Sequence, residues 1–214
     1  FYTPSEVSRI LAKVVSIKPD MPRSTTVYDP TCGSGSLLLK ASDEAKNGLS
    51  VYGQEMDVTT SALAKMNMIL HGHVSDVKSI AQGNTIASPA FKDANKQLKT
   101  FDFAVANPPF SNKNWTSGIV PKDDLYARFE WGIPPEKNGD YTFLLHIIKS
   151  LKSTGKGAVI LPHGVLYRGN AEANIRENLI KQGYIKGIIG LPANLFYGTG
   201  IPACIIVIDK EHFF

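Results

Sequence analysis

FDFAVANPPF, from Phe101 to Phe110, reads as a strand with an abrupt end. Phe101 to Ala106 is a short apolar run with β-branched and aromatic character, the mark of a buried strand. Two consecutive prolines, Pro108 and Pro109, cannot continue a sheet ladder, so the strand stops and the chain turns. The stop groups an amide side chain, a proline carbonyl and an aromatic ring at the carboxyl end of a strand, where open α/β sheets bind their ligands. Asn107 supplies a carbonyl acceptor without charge, and Phe110 a ring that can stack on a planar ligand. Such a group can hold a planar amino compound. An Asn-Pro-Pro sequence is also ordinary turn chemistry, and the neighbouring segments have to separate the two readings.

Strand and helix signals alternate outward from this point in both directions, which predicts a doubly wound, mostly parallel sheet. Helices are expected at 6–17, 37–46, 58–70, 141–151 and 171–181, and strands at 24–30, 49–55, 78–84, 101–106, 157–162, 184–192 and 201–209. About eight residues join the last two strands, too few for a parallel crossover, so those two should pair antiparallel. The sum is seven strands with the last reversed. Residues 111–140 show no sustained periodicity. They mix Trp115, Tyr126, Phe129 and Trp131 with Lys113, Lys122, Arg128 and Lys137. A structureless segment of this length, directly after the tetrapeptide, is expected to be either functional or a mobile surface loop.

The 214 residues suit one large α/β domain with a real core, at 43% hydrophobic and 20% charged content. The longest apolar runs, such as ACIIVI at 203–208, are too short to span a bilayer, and no signal-peptide pattern opens the chain. Cys32 and Cys204 make no disulfide framework, which points to a reducing, cytoplasmic setting. The net charge of +4 is compatible with a polyanionic partner without requiring one. FYTPSEV and EHFF read as cut ends, as expected of a domain taken from a longer protein.

The segment Asp29-Pro30-Thr31-Cys32-Gly33-Ser34-Gly35-Ser36 joins the first strand to its helix. Its glycines permit close backbone approach to a ligand, and the helix amino terminus presents free N–H groups. The spacing is neither that of a P-loop nor a strict GxGxxG. Asp29 would repel a pyrophosphate but can accept hydrogen bonds from a cationic or amino-bearing ligand. That turns the reading from a dinucleotide towards S-adenosylmethionine. Glu55, about twenty residues on, is placed to take both ribose hydroxyls. Met56 could pack on an adenine face, and Asn84 could bond its edge. Solvated Glu and turn Asn residues are common at strand ends. His71 and His73 lack carboxylate or cysteine partners at metal-ligand spacing, so no metal site is expected. His163 sits at a strand end, where it could line the cleft or serve the turn.

With these residues placed, the chain resembles the amino-group DNA methyltransferases that modify adenine. More narrowly, it is similar to the catalytic domain of the modification subunit of type I restriction systems. FYTP (1–4), DPTCGSGSLL (29–38), GQEMD (53–57), NMILHG (67–72), NPPF (107–110), GKGAVILPHGVLYRG (155–169) and LPANLFYGTGIPACIIVIDK (191–210) carry the likeness. It covers nearly the whole chain, and the last two blocks single out the restriction-modification subunit. The resemblance implies a Rossmann-like, S-adenosylmethionine-dependent methyltransferase fold of the α/β class: a seven-stranded, mostly parallel sheet with its last strand antiparallel and helices on both faces. It implies cofactor contacts from Tyr2, Thr3 and Pro4, which close over the methionine end, and from Asp29, Thr31, Gly33, Gly35, Ser36 and Leu37. Glu55, Met56, Asn84 and Asn107 complete that set. Catalysis falls to Asn107, Pro108, Pro109 and Phe110, acting on the exocyclic amino group of an adenine flipped out of double-stranded DNA.

Two positions depart from the family pattern: Ser36 stands where Gly or Ala is common, and Asn84 where Asp is frequent. The resemblance further implies a specificity subunit and a restriction or translocase subunit as partners, no membrane, and a helical amino-terminal domain and a C-terminal tail outside residues 1–214. Two rival readings remain open from the sequence. The tetrapeptide alone is shared with protein-glutamine and RNA-guanine methyltransferases, and a non-catalytic module could bind the cofactor only to scaffold a complex.

Overall fold

The computed structural model describes residues 3–196 and 200–211, so Tyr2 lies outside the described residues. One seven-stranded sheet runs through the molecule. Its strands are β1 (Thr26–Asp29), β2 (Ser50–Glu55), β3 (Ile80–Gln82), β4 (Phe101–Ala106), β5 (Leu151–Pro162), β6 (Ile185–Gly190) and β7 (Ala203–Asp209). Their order across the sheet is β3-β2-β1-β4-β5-β7-β6. The pairs β1–β2, β2–β3, β1–β4 and β4–β5 are parallel, whereas β7 lies antiparallel between β5 and β6. The mostly parallel sheet with one reversed strand is the expected one. The reversed strand enters between its neighbours and is buried along its whole length, as its apolar run Ala203–Ile208 requires, and the buried Asp209 that ends it accepts a hydrogen bond from Lys186 at 2.9 Å.

Period-two alternation within the strands divides the core into two layers. Phe103, Val105, Ile205 and Val207 face α1 (Ser5–Val14), α2 (Ser36–Asp43) and α3 (Val58–Leu70). Ala104, Ala106, Ile206 and Ile208 face α4 (Asp140–Lys149) and α5 (Ala171–Lys181). Helices therefore cover both faces.

The differences from expectation are local. Residues 78–79 close a 3-10 turn (Val74–Ser79), which shortens β3. The helix expected to end at Leu151 ends at Lys149, and β5 starts at Leu151 rather than near Gly157. Its first residues bulge away from β4, so that Leu151 and Lys156 pair with Phe101 and Phe103. No helix covers the β3–β4 connection. Gln54, buried on β2, holds it instead: its amide bonds the carbonyls of Gly83 and Ser88 and the N–H of Ala90.

Residues 111–140 fold into a packed loop. Trp115, Phe129 and Trp131 are buried with α4, and Trp115 donates its indole N–H to the Pro135 carbonyl at 2.9 Å. Arg128, only 1% exposed, forms an ion pair with Asp124 at 2.6 Å. Three of its four aromatic residues, Trp115, Phe129 and Trp131, are thus this loop's own core, and it is not the loose surface loop that was one of the two expectations.

Candidate active site

Parallel pairing sets the site. β3, β2, β1 and β4 are adjacent and run the same way, so their carboxyl ends open along one edge. Glu55 ends β2, Asp29 ends β1, and Asn84 and Asn107 lie just beyond β3 and β4. A cavity of about 800 Å³ occupies that edge. Its wall includes Thr3, Asp29, Thr31, Gly33, Ser36 and Leu37, together with Glu55, Met56, Asn84, Asn107, Pro108 and Pro109. Pro4 caps α1, and Gly35 caps α2 in the left-handed region at φ +79°; neither borders the cavity. Phe110 does not border the cavity. Its ring packs edge-to-face on Phe196, with centroids 6.3 Å apart. His163 also lies off the cavity and bonds through its N–H to the Pro202 carbonyl.

The glycine turn is shaped around two carboxylates. Glu55 accepts the Gly33 N–H on one oxygen and the Asp57 N–H on the other, both at 2.9 Å. Asp29 is 2% exposed and accepts the Thr31 N–H at 2.9 Å. Burial pushes its pKa up to about 7; the Thr31 N–H opposes that rise, and the charge of Glu55 adds to it. A carboxyl poised near neutrality becomes a full anion when a cationic group arrives beside it.

The tetrapeptide carries the second feature. The Asn107 Nδ2 donates to the Thr3 hydroxyl at 3.0 Å, while its Oδ1 is buried and has no hydrogen-bond partner among the described residues. A buried carbonyl oxygen left unpaired costs about 1–3 kcal/mol. It is satisfied when a ligand brings an N–H, so the arrangement can grip an amino group beside a site suited to a cationic, hydroxyl-bearing cofactor.

The side-chain oxygen of Asn84 is committed to its own turn and cannot serve an adenine edge as an acceptor. Its Oδ1 already accepts the N–H groups of Ile86 and Ala87 at 2.9 and 3.2 Å, which uses both lone pairs within its own turn. What this side chain can offer the cavity is its amide N–H₂.

The wall also holds residues that no motif marks one by one, Trp115 being legible only as part of the aperiodic segment 111–140. Thr60 and Leu63 come from the first turns of α3, Phe143 from α4, and Asn112, Asn114, Trp115 and Ser117 from the packed loop. The position of 111–117 directly after the tetrapeptide was the signal for the last four. Nothing along the chain marks Phe143. Among the described residues no three His, Cys, Asp or Glu side chains are grouped to hold a metal; His73 pairs instead with Asp76 at 3.0 Å.

A family profile described as N-6 DNA Methylase matches residues 1–213. The type I restriction enzyme MjaIX methylase subunit of Methanocaldococcus jannaschii is 31% identical over 220 residues, which takes in 99% of this chain and 37% of the relative. The MpnII methylase subunit of Mycoplasma pneumoniae is 34% identical, covering 99% of this chain and 40% of the relative. The crystal structure of a type I restriction-modification methyltransferase subunit from Streptococcus thermophilus superposes with a TM-score of 0.89 at 37% identity, over 99% of this chain and 45% of that one. The chain thus spans less than half the length of these relatives. Its strand order with one reversed strand, its helices on both faces and its cavity at the strand ends are those of an S-adenosylmethionine-dependent methyltransferase fold. By its match over nearly every residue, this chain belongs to the N-6 DNA methylase family.

Proposed function

We propose that residues 1–214 are the catalytic domain of an adenine-specific DNA methyltransferase, the modification subunit of a type I restriction-modification system. The observation that carries this reading is the buried Asn107 Oδ1, unpartnered among the described residues, which shares one cavity with Asp29 and Glu55. It is an acceptor waiting for an amino hydrogen next to two carboxylates.

The residues fit S-adenosylmethionine. Asp29 suits its amino group and Glu55 its ribose hydroxyls. A side chain at Gly33 would meet no atom within 4 Å, so the backbone there stands open to a ligand. When bound, the cofactor supplies an electrophilic methyl group on a sulfonium. The protein's share is orientation and electrostatics. Asn107 Oδ1 and the Pro108 carbonyl accept the two hydrogens of the adenine amino group. That reduces conjugation of its lone pair with the ring and aims it at the methyl. Positive charge develops on this nitrogen, and the fixed acceptor dipoles stabilise it without reorganising. Phe110, whose ring packs on Phe196 outside the cavity wall, has to turn towards the cavity to stack on a base flipped from the duplex, which offsets a flipping cost of a few kcal/mol by about 1–3 kcal/mol. Most of the rate enhancement is positioning.

Double-stranded DNA is the substrate, with a specificity subunit choosing the site and a restriction or translocase subunit completing the assembly. A cytoplasmic setting suits Cys32 and Cys204, both buried as free thiols. The test is methyl transfer from labelled cofactor to duplex DNA with the specificity subunit present, compared with a release-factor substrate. Asn107→Ala should remove nearly all turnover and leave cofactor affinity within a few-fold. Full activity in that variant would overturn the mechanism.

A further inference from the structure

The residues just after the tetrapeptide are gripped by a charged network that borders no part of the cavity. Asp140, the first residue of α4, is 1% exposed. One of its oxygens accepts the Ser111 N–H at 2.6 Å, and the other meets Nη2 of Arg168 at 2.6 Å. Arg168 lies beyond β5 and also engages Glu172 of α5, through Nε at 2.5 Å and Nη2 at 2.9 Å. Arg176 holds the same segment by donating to the carbonyls of Arg168 and Val165 at 2.9 and 3.0 Å. Gly164 leaves room for the guanidinium, which a side chain there would strike.

Two features show that this network acts on the turn. Ser111 has φ +51°, a left-handed conformation that a non-glycine residue keeps only when its surroundings impose it. The next residue is held as well, its carbonyl accepting the Gly139 N–H at 2.9 Å. The amino end of α4 therefore grips both residues that follow Phe110. The prolines stiffen one side of the tetrapeptide and this grip fixes the other.

We propose that Asp140, oriented by Arg168, is a positioning residue for methyl transfer. It holds the turn that aims Asn107 and Phe110, and touches neither cofactor nor base. This rests on the function proposed above. A merely structural ion network would lower stability and leave turnover per folded molecule unchanged, whereas a positioning role lowers the transfer rate itself.

The test compares Asp140→Asn and Arg168→Lys with the parent protein, assembled with its specificity subunit, by single-turnover methyl transfer, cofactor binding and amide hydrogen exchange at Ser111. Lys keeps the charge but lacks the fork that can hold Asp140 and Glu172 together. The expected result is a rate about 100-fold lower for Asp140→Asn, the scale of a misplacement near 1 Å. Arg168→Lys should fall between that variant and the parent. Cofactor affinity should stay within about threefold, and Ser111 exchange should accelerate. If Asp140→Asn does not fold, Arg168→Lys carries the same three readouts. The proposal is overturned by a folded variant with parental rate and lowered melting temperature, or by a rate loss matched by an equal loss of cofactor affinity. If the parent transfers no methyl to adenine, the function reading fails and Ser111 exchange still decides: protection lost with Asp140→Asn supports the grip, and unchanged protection overturns it.

Discussion

At the scale of single residues, burial turns ordinary side chains into reactive ones. Asp29 would ionise near pH 4 in water; enclosed at the end of β1 it does so at about 7. Below pH 7 a cationic cofactor must therefore displace a proton from it. Cofactor affinity should rise about tenfold per pH unit between pH 5.5 and 7, a range where an α-amino group stays charged. It should be nearly flat over that range in Asp29→Asn. Calorimetry in buffers of different ionisation enthalpy would show about one proton released per cofactor in the parent and none in the variant; equal release in both would remove Asp29 from the contact. The positions of Asp29, Glu55 and Asn107 were legible in the sequence, because the first two end strands and the third directly follows one, each at a turn. The partners that tune them were not. Nothing along the chain tells that Thr3, 104 positions away, takes the Asn107 amide N–H, or that Asn84 spends its oxygen on its own turn.

At the scale of elements, the glycine turn depends on a neighbouring strand. Gly53 of β2 lies opposite Asp29, and a side chain there would lie 2.9 Å from Cys32 Sγ and 3.0 Å from Cys32 Cβ. The turn would have to move, and the Gly33–Glu55 hydrogen bond with it. Gly53→Ala should weaken cofactor binding about tenfold, the equivalent of one hydrogen bond. Gly187→Ala, on the edge strand β6 with nothing within 4 Å, should leave binding unchanged. Direct titration of both variants distinguishes a specific effect from a general loss of sheet stability. Hydrophobic period and turn residues located α3 and β4 to the residue and put α5 near its place. They placed β5 too late, because its first residues form an exposed bulge (Lys152 to Thr154) whose pairing depends on β4 and not on local pattern.

At the scale of the whole molecule, two buried titrating groups set opposite pH trends. His146 on α4 bonds the Tyr28 hydroxyl at 3.0 Å, and burial, helped by the charge of Arg128, lowers its pKa to about 3. Between about pH 3 and 6.5 the unfolded chain holds the proton that folded His146 refuses, so this group favours folding more as pH rises. Asp29 acts the other way: between about pH 4 and 7 the folded state holds the extra proton, so stability falls as pH rises. In cofactor-free protein the two trends offset each other from pH 4.5 to 6.5. Asp29→Asn should unmask His146 and melt at steadily lower temperature on acidification over that range, while the parent curve stays flatter. Parallel curves would show that one of the two groups is not perturbed as described. The alternation of strands and helices, the glycine turn and the tetrapeptide could be read along the chain because each is set by residues adjacent in sequence. Parallel pairing brought four strand ends to one edge, and packing buried Asp29, enclosed the Asn107 oxygen, and gave residues 111–140 a core of their own while bringing Asn112, Asn114, Trp115 and Ser117 to the cavity wall. Those outcomes depend on contacts between residues far apart in the chain, whose desolvation and geometry no local pattern encodes.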